Sequence, residues 1–128
     1  MAKLQTPALV VDDYNTMRRI IRNLLEQIGL SRIDEAGDGA TALVKLKNAL
    51  YGLVISDWNM EPVSGLQLLK EVRADFRLKG LPFIMVTAEG KTENVVAAKA
   101  AGVGQYIVKP FTAETLCNKI EAAIGELR

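Results

Sequence analysis

The sequence contains no histidine, and this absence excludes several kinds of functional site. Within this chain there can be no histidine metal ligand, no Ser-His-Asp triad and no phosphohistidine. Cysteine is nearly as scarce, because Cys117 is the only one and cannot form an intrachain disulfide. A single cysteine fits a reducing compartment, and its place in an apolar-periodic segment favours packing over reactivity.

The sequence also lacks a predominant charge and a long apolar run. Its 16 basic and 15 acidic residues give a net charge of +1. Proteins that bind nucleic acid or anionic membranes ordinarily have a basic excess or stripe, so we expect neither partner. No apolar run approaches the roughly 18 residues of a membrane span, and residues 1–7 have no signal-peptide core. We therefore expect a cytoplasmic protein.

The length and composition are those of one globular domain. The chain has 128 residues, of which 49% are hydrophobic and 24% are charged. We see no internal repeat, linker or low-complexity segment, and we expect residues 1–128 to form a single domain.

Five short β-type runs alternate with five segments of helical periodicity. The predicted strands are residues 8–11, 32–36, 53–57, 83–87 and 106–108, and the polar 32–36 run suits a sheet edge. Residues 91–101 are the fourth predicted helix. Apolar residues spaced three and four apart predict the other helices: Met17, Ile20, Ile21, Leu24, Leu25 and Ile28; Leu43, Leu46 and Leu50; Leu66, Leu69 and Val72; Leu116, Ile120, Ala123, Ile124 and Leu127.

Local signals predict where several helices begin and end. Gly29 and Gly102 stand where helix C-cap glycines belong, and Ser64 to Gln67 has the spacing of a capping box. The alternation of strands and helices predicts an α/β fold, with a doubly wound parallel sheet of five strands covered by five helices.

Polar side chains follow four of the predicted strands. Asp12 and Asp13 come after the first strand, Asp57 ends the third, Thr87 ends the fourth and Lys109 follows the fifth. An acid after a strand usually starts a loop or caps a helix, and for Asp57 alone we would favour that interpretation. A doubly wound sheet, however, brings the carboxyl ends of its strands together at one edge, so these polar side chains should lie close together there. That clustering favours a functional site over ordinary loop polarity.

Three clustered carboxylates repel one another and need a cation. Oxygen ligands without histidine or cysteine indicate a hard ion, most plausibly Mg²⁺, which leaves positions free for phosphate oxygens. Lys109 supplies a further positive charge and Thr87 a hydrogen-bond donor, which together suit a transferring phosphoryl group. A carboxylate can also act as a nucleophile, and Asp57, on the central strand, is the best placed.

These site residues, with the segments around them, resemble the phosphoacceptor pocket of two-component response-regulator receiver domains. The resemblance covers nearly the whole chain. It is carried by Val10-Val11-Asp12-Asp13, Thr16-Met17-Arg18-Arg19-Ile20, Ile55-Ser56-Asp57-Trp58-Asn59-Met60, Met85-Val86-Thr87-Ala88-Glu89 and Val108-Lys109-Pro110-Phe111-Thr112. It implies a flavodoxin-like fold with strand order 2-1-3-4-5.

The resemblance also implies the roles of the site residues. Asp57 would accept a phosphoryl group from a phosphohistidine on a sensor kinase. Asp13, Asp57 and the Asn59 backbone carbonyl would bind Mg²⁺, with Asp12 acting mainly through a coordinated water. Thr87 and Lys109 would contact the phosphoryl group.

Further positions match residues that regulate the family. Asn59 and Glu89 match positions that influence the lifetime of the phosphorylated state. Tyr106 matches an aromatic switch residue, and Lys109-Pro110 matches a peptide that is cis in the family. The output surface would be the face of helix 4, strand 5 and helix 5.

The chain departs from the family pattern at two positions. Glu61 stands between Met60 and Pro62, where proline usually follows the methionine directly. This extra carboxylate either alters metal affinity or dephosphorylation, or is a solvated loop charge, and we favour the latter. Ser64 replaces the commoner aspartate, although serine caps a helix equally well.

The sequence ends soon after the fifth predicted helix, so we expect a monomeric, stand-alone phosphorylation switch whose output is a protein contact. It would catalyse only its own phosphotransfer and autodephosphorylation. The favoured pathway is chemotaxis, with the flagellar motor switch as partner. A phosphate sink or phosphorelay intermediate would have the same pocket, and the sequence does not identify the kinase, the target or a phosphatase.

Two other function classes fit the sequence less well. A haloacid-dehalogenase-type phosphohydrolase needs Asp-x-Asp after the first strand, whereas this chain has adjacent acids there and is short for that class. A flavodoxin-like nucleotide binder would need a phosphate-cradling loop after the first strand. Neither Gly37-Asp38-Gly39 nor Gly102-Val103-Gly104 supplies one.

Overall fold

The structure is a computed structural model that describes residues 5–60, 63–88, 92–109 and 111–124. Strands alternate with helices through the described chain. The strands are β1 (Ala8–Val11), β2 (Ile33–Ala36), β3 (Leu53–Asp57), β4 (Phe83–Thr87) and β5 (Gln105–Val108). The helices are α1 (Asn15–Ile28), α2 (Gly39–Asn48), α3 (Gly65–Ala74), α4 (Thr92–Ala100) and α5 (Ala113–Ile124). No helix of the described residues is long and apolar enough to cross a membrane.

The five strands form one parallel sheet in the order β2-β1-β3-β4-β5. The predicted fold and strand order are therefore confirmed, with the polar β2 at an edge. β1, β3 and β4 are buried along their whole lengths, which explains why their sequences read as nearly continuous apolar runs. Because the order reverses between β1 and β3, the loops after these two strands diverge around a crevice.

Two hydrophobic cores cover the two faces of the sheet. One packs α1 and α5 against the sheet through residues such as Ile21, Leu25, Leu116 and Ile120. The other packs α2 and α3 through residues such as Leu46 and Leu69. Since both faces are sealed, the polar groups at the carboxyl ends of the strands are left at the rim, where solutes can reach them.

Helix ends follow the predicted signals, with one difference. Gly29 closes α1 with φ 115° and Gly102 follows α4 with φ 93°, a conformation that side chains other than glycine rarely adopt. Ser64 Oγ accepts the Gln67 amide at 3.1 Å, as a cap should. The Gln67 side chain, however, donates to Glu71 at 3.1 Å, which does not fit the reciprocal bond that a capping box predicts.

One predicted helical position was wrong, and another lies in its predicted helix but at the edge of the buried face. Leu50 is not part of α2, which ends at Asn48, and its side chain is 93% exposed. Ile20 lies at the margin of the buried face of α1 and is 43% exposed. Cys117 is partly buried rather than part of the core. Lys91 and Leu127 lie outside the described residues.

Candidate functional site

The three predicted acids meet at the carboxyl ends of β1 and β3. Asp12 and Asp13 follow β1, and Asp57 is the last residue of β3. Each acid offers one carboxylate oxygen, and these three oxygens all lie within 4.8 Å of one another. Asp12 and Asp57 are buried, whereas Asp13 is exposed at the mouth of the cluster. Two buried acids below one exposed acid form a pocket that is open to solvent on one side.

The Asp12 carboxylate is fixed at one oxygen and left open at the other. Oδ1 accepts the Tyr14 amide at 2.9 Å, which holds the turn between β1 and α1. Oδ2 is buried without a hydrogen-bond partner. A buried carboxylate oxygen is costly to leave unpaired, so its environment calls for a cation.

Lys109 brings one cation into this cluster. Its backbone amide donates to the Thr87 carbonyl at 2.7 Å, which places it directly after β5 at the same rim. Its ammonium lies 3.1 Å from Asp57 Oδ1 and 3.8 Å from Asp12 Oδ2. One ammonium facing three carboxylates leaves the pocket with an excess of negative charge.

Burial and repulsion together raise the pKa of the buried acids. Burial is the main cause of the raised pKa of Asp57, and the charge of Asp13 adds to it, although the Lys109 hydrogen bond opposes both. Burial likewise raises the pKa of Asp12, opposed by the Tyr14 amide and assisted by the charge of Asp57. Both carboxylates would therefore be easier to ionise with more positive charge nearby.

The donor set fits a hard divalent cation. All three side chains offer oxygen, one carboxylate oxygen lacks a hydrogen-bond partner, and the exposed side of the pocket leaves room for water or phosphate ligands. Asn59 follows Asp57 by two residues and has an exposed side chain. The predictions for Glu61, Glu89 and the Lys109-Pro110 peptide fall on Glu61, Glu89 and Pro110, which lie outside the described residues.

Thr87 and Tyr106 share one face of the sheet. Thr87 is buried at the end of β4, and its register partner on β5 is Val108. Tyr106 is the partner of Met85, two residues earlier on each strand. Because side chains two residues apart lie on the same face of a strand, Thr87 and Tyr106 are diagonal neighbours on that face.

Sequence reasoning missed two residues that shape this site. Arg18 donates from Nη1 to the Asp12 carbonyl at 2.8 Å, and the sequence signal was only an arginine one turn into α1. Gly65 was read as part of a helix start, but a Cβ built on it would lie 2.1 Å from the Asp57 carbonyl oxygen. Glycine at this position therefore lets α3 begin against the end of β3.

Comparisons with known proteins give a consistent result. The family model described as the response regulator receiver domain matches residues 8–121. Chemotaxis protein CheY-3 of Vibrio cholerae is 52% identical over 119 residues, covering 93% of this chain and 92% of that protein. Chemotaxis protein CheY of Pseudomonas aeruginosa is 52% identical over 113 residues, covering 88% and 91%. The solved structure of Vibrio cholerae chemotaxis protein CheY4 matches with a TM-score of 0.87 at 33% identity, covering 93% and 98%.

Proposed function

The chain belongs to the response-regulator receiver-domain family, and on that premise we propose that it accepts a phosphoryl group on Asp57 from a sensor histidine kinase. The observation that carries this proposal is the Lys109 ammonium 3.1 Å from Asp57 Oδ1, beside two further acids at the switch point of the sheet. This is the arrangement expected where a carboxylate must meet an anionic phosphoryl group.

The proposed transfer makes one bond and breaks one. A carboxylate oxygen of Asp57 attacks the phosphorus of the phosphohistidine, and the phosphorus–nitrogen bond breaks with its electron pair returning to the imidazole. Lys109 lies where it can neutralise the oxygens of the transferred group, and Thr87 can donate its hydroxyl hydrogen to one of them. Mg²⁺ held by Asp12, Asp13, Asp57 and the Asn59 carbonyl would supply the remaining positive charge.

The proposed output is a protein contact through α4, β5 and α5. A groove of ≈ 420 Å³ lies on this face and is lined by residues that include Val95, Val103, Tyr106 and Lys119. This volume falls within the range of about 300–1,000 Å³ that is usual for binding pockets. Val96 and Val108 are exposed nearby, at 59% and 42%. Because the relatives at 52% identity are chemotaxis proteins, we favour the flagellar motor switch as the target.

Because these relatives are chemotaxis proteins, we favour a switch over a phosphate sink or a phosphorelay intermediate. We further propose that the protein is monomeric and cytoplasmic. Spontaneous loss of the phosphoryl group would depend on Asn59 and Glu89, which keep the roles implied by the family. A pull-down that compares the beryllofluoride-bound protein with the untreated protein would identify the target. Capture of a motor protein only by the treated form supports chemotaxis, and capture of a phosphotransfer protein points to a relay.

Labelling of the protein tests the site itself. Incubation with acetyl phosphate and Mg²⁺ should give one acid-stable, base-labile adduct, which mass spectrometry should locate at Asp57. Asp57→Asn is nearly isosteric, so it should fold and lose the adduct. A label on Asp12 or Asp13 in the unaltered protein would overturn the assignment. Sustained hydrolysis of small phosphate esters would instead support the phosphohydrolase alternative.

A further inference from the structure

The Arg18 guanidinium ties the acid-bearing turn after β1 to the neighbouring edge strand. Its Nη1 donates to the Asp12 carbonyl oxygen at 2.8 Å, and its Nε donates to Glu35 Oε1 on β2 at 2.9 Å. The side chain is only 19% exposed. One rigid, planar group therefore spans from the site to β2, which fixes the position of the turn more firmly than a single hydrogen bond would.

Glu35 is itself held in place on its other side. Its Oε2 accepts a hydrogen bond from Arg22 Nη1 at 2.7 Å, so two arginines of α1 bind the one carboxylate. Burial alone would raise the pKa of Glu35, but the hydrogen bonds from Arg22 and Arg18 outweigh it and lower the pKa. Glu35 is therefore ionised at neutral pH and can hold the Arg18 guanidinium by charge as well as geometry.

The hydrogen bond from Arg18 to the turn is directed at the backbone. It goes to the Asp12 carbonyl, whereas Asp12 Oδ1 takes the Tyr14 amide and Oδ2 has no hydrogen-bond partner. The turn is thus stabilised by a cation whose hydrogen bond does not occupy the carboxylate oxygens. This arrangement leaves Asp12 Oδ2 available for a metal ion while limiting how far the turn can move.

We propose that Arg18, held by Glu35, is a positioning residue that presets the Asp12–Asp13 turn for Mg²⁺. The inference rests on the proposed function, because it assigns a role toward the metal of the same site. Mg²⁺ demands nearly ideal octahedral geometry, whereas Ca²⁺ accepts flexible and larger coordination shells. A loosened turn should therefore impair Mg²⁺ binding more than Ca²⁺ binding.

The test is a Mg²⁺ titration of Arg18→Met, followed by the fluorescence of Trp58, the only tryptophan. Outer-shell partners of a metal site are typically worth about 10–100-fold in affinity, and we expect a loss in that range. Arg19→Met is the matched control, since it removes the same charge from an exposed neighbour. Removing a positive charge near an acidic site should by itself strengthen cation binding, so simple electrostatics predicts the opposite sign.

A second variant and a second ion separate positioning from general destabilisation. Glu35→Gln preserves the shape of the carboxylate but removes its charge, and it should weaken Mg²⁺ binding in the same direction by a smaller factor. Urea unfolding verifies that each variant is folded under the titration conditions. In Arg18→Met the ratio of Mg²⁺ to Ca²⁺ affinity should fall, which a purely structural role would not cause.

The outcomes also distinguish this inference from the proposed function. If the unaltered protein neither binds Mg²⁺ nor is labelled at Asp57, both fail together. If it does both, and folded Arg18→Met and Glu35→Gln bind Mg²⁺ as tightly as Arg19→Met, only the role of Arg18 is overturned. An equal loss of Mg²⁺ and Ca²⁺ affinity in Arg18→Met would likewise overturn positioning.

Discussion

The indole ring of Trp58 meets the phenol ring of Tyr106 edge to face, with ring centroids 6.4 Å apart and an interplanar angle of 69°. Trp58 directly follows Asp57, and Tyr106 belongs to the face of the sheet that carries Thr87. Both rings pack against the core formed by α2 and α3. The contact is thus a direct physical link between the residue that follows the proposed phosphoacceptor Asp57 and the predicted switch residue Tyr106.

We expect phosphorylation to change the fluorescence of Trp58 through this contact. A phosphoryl group adds about −1.5 to −2 charges, and Thr87 should move toward it to donate its single hydroxyl hydrogen. That movement frees space on the face shared with Tyr106, which can then reorient. Tyr106→Ala and Thr87→Ala should each reduce the change in Trp58 fluorescence that acetyl phosphate causes. Tyr106→Ala should leave the change caused by Mg²⁺ alone unaltered.

The same two variants should weaken the coupling to a partner. Allosteric coupling is typically about 1–3 kcal/mol, so the phosphorylated form should bind its target about 5–150-fold tighter than the unmodified form. Isothermal titration with the target from the pull-down measures this ratio. Both variants should remain labelled at Asp57 and show a smaller ratio. If both retain the full ratio, the signal leaves the site by another route.

Mg²⁺ should bind at a single weak site, because few protein ligands are available and the ion keeps several waters. Titration with Mg²⁺ should change Trp58 fluorescence with one-site saturation. Asp13→Ala should abolish the change, since it removes the exposed ligand at the mouth of the cluster. Glu26→Ala, an exposed acid in α1, is the charge-matched control. An Asp13→Ala titration that matches this control would remove Asp13 from the metal site.

Most of the fold was predictable because each central strand carries its own signal. β1, β3 and β4 have the predicted bounds, since fully buried strands require unbroken apolar runs. The strand order was not contained in the pattern and came from the family resemblance. Contacts that depend on this order, such as Trp58 with Tyr106 and Arg18 with Glu35, could not be read from the residues.

The error at Leu50 shows what periodicity omits. Leu50 continues the spacing of Leu43 and Leu46, but α2 ends at Asn48, whose side chain donates to the Val44 carbonyl at 2.8 Å. The chain must then leave the helix to reach β3, and the Gly52 amide bonds to the Pro7 carbonyl at 2.8 Å. A tertiary requirement therefore ends the helix where the local pattern would extend it.

The sequence predicted which acids form the cluster, whereas the structure was needed to show how far burial disfavours their ionised forms. Burial raises the pKa of Asp12 above its ordinary value of 3.8, so ionised Asp12 destabilises the folded state. This loss of folding stability is absent at pH values below the pKa of Asp12 in the unfolded chain. It develops as the pH rises through the higher pKa of Asp12 in the folded protein. Asp12→Asn should therefore unfold at higher urea than the unaltered protein at pH 7 without Mg²⁺, with the difference disappearing toward pH 3.

Added Mg²⁺ provides the control for this pH dependence. A cation that binds only the folded state stabilises the unaltered protein, so it should narrow or reverse the advantage of Asp12→Asn at pH 7. Asn can still accept the Tyr14 amide, so the turn should persist in the variant. An advantage that stays constant from pH 3 to pH 7 would contradict the role assigned to the buried charge.

Gly65 should be intolerant of even a methyl group, because α3 begins against the last residue of β3. A Cβ on Gly65 would lie 2.1 Å from the Asp57 carbonyl oxygen and 2.9 Å from Met85 Sδ. Overpacking of this kind costs about 1–3 kcal/mol or more, and here relief of the clash would displace Asp57 itself. Gly65→Ala should therefore lower the urea midpoint and slow labelling by acetyl phosphate. Gly80→Ala is the matched control, because nothing lies within 4 Å of its added Cβ, and it should change neither quantity appreciably. Equal behaviour of the two variants would show that the Asp57 backbone can shift without loss of the site.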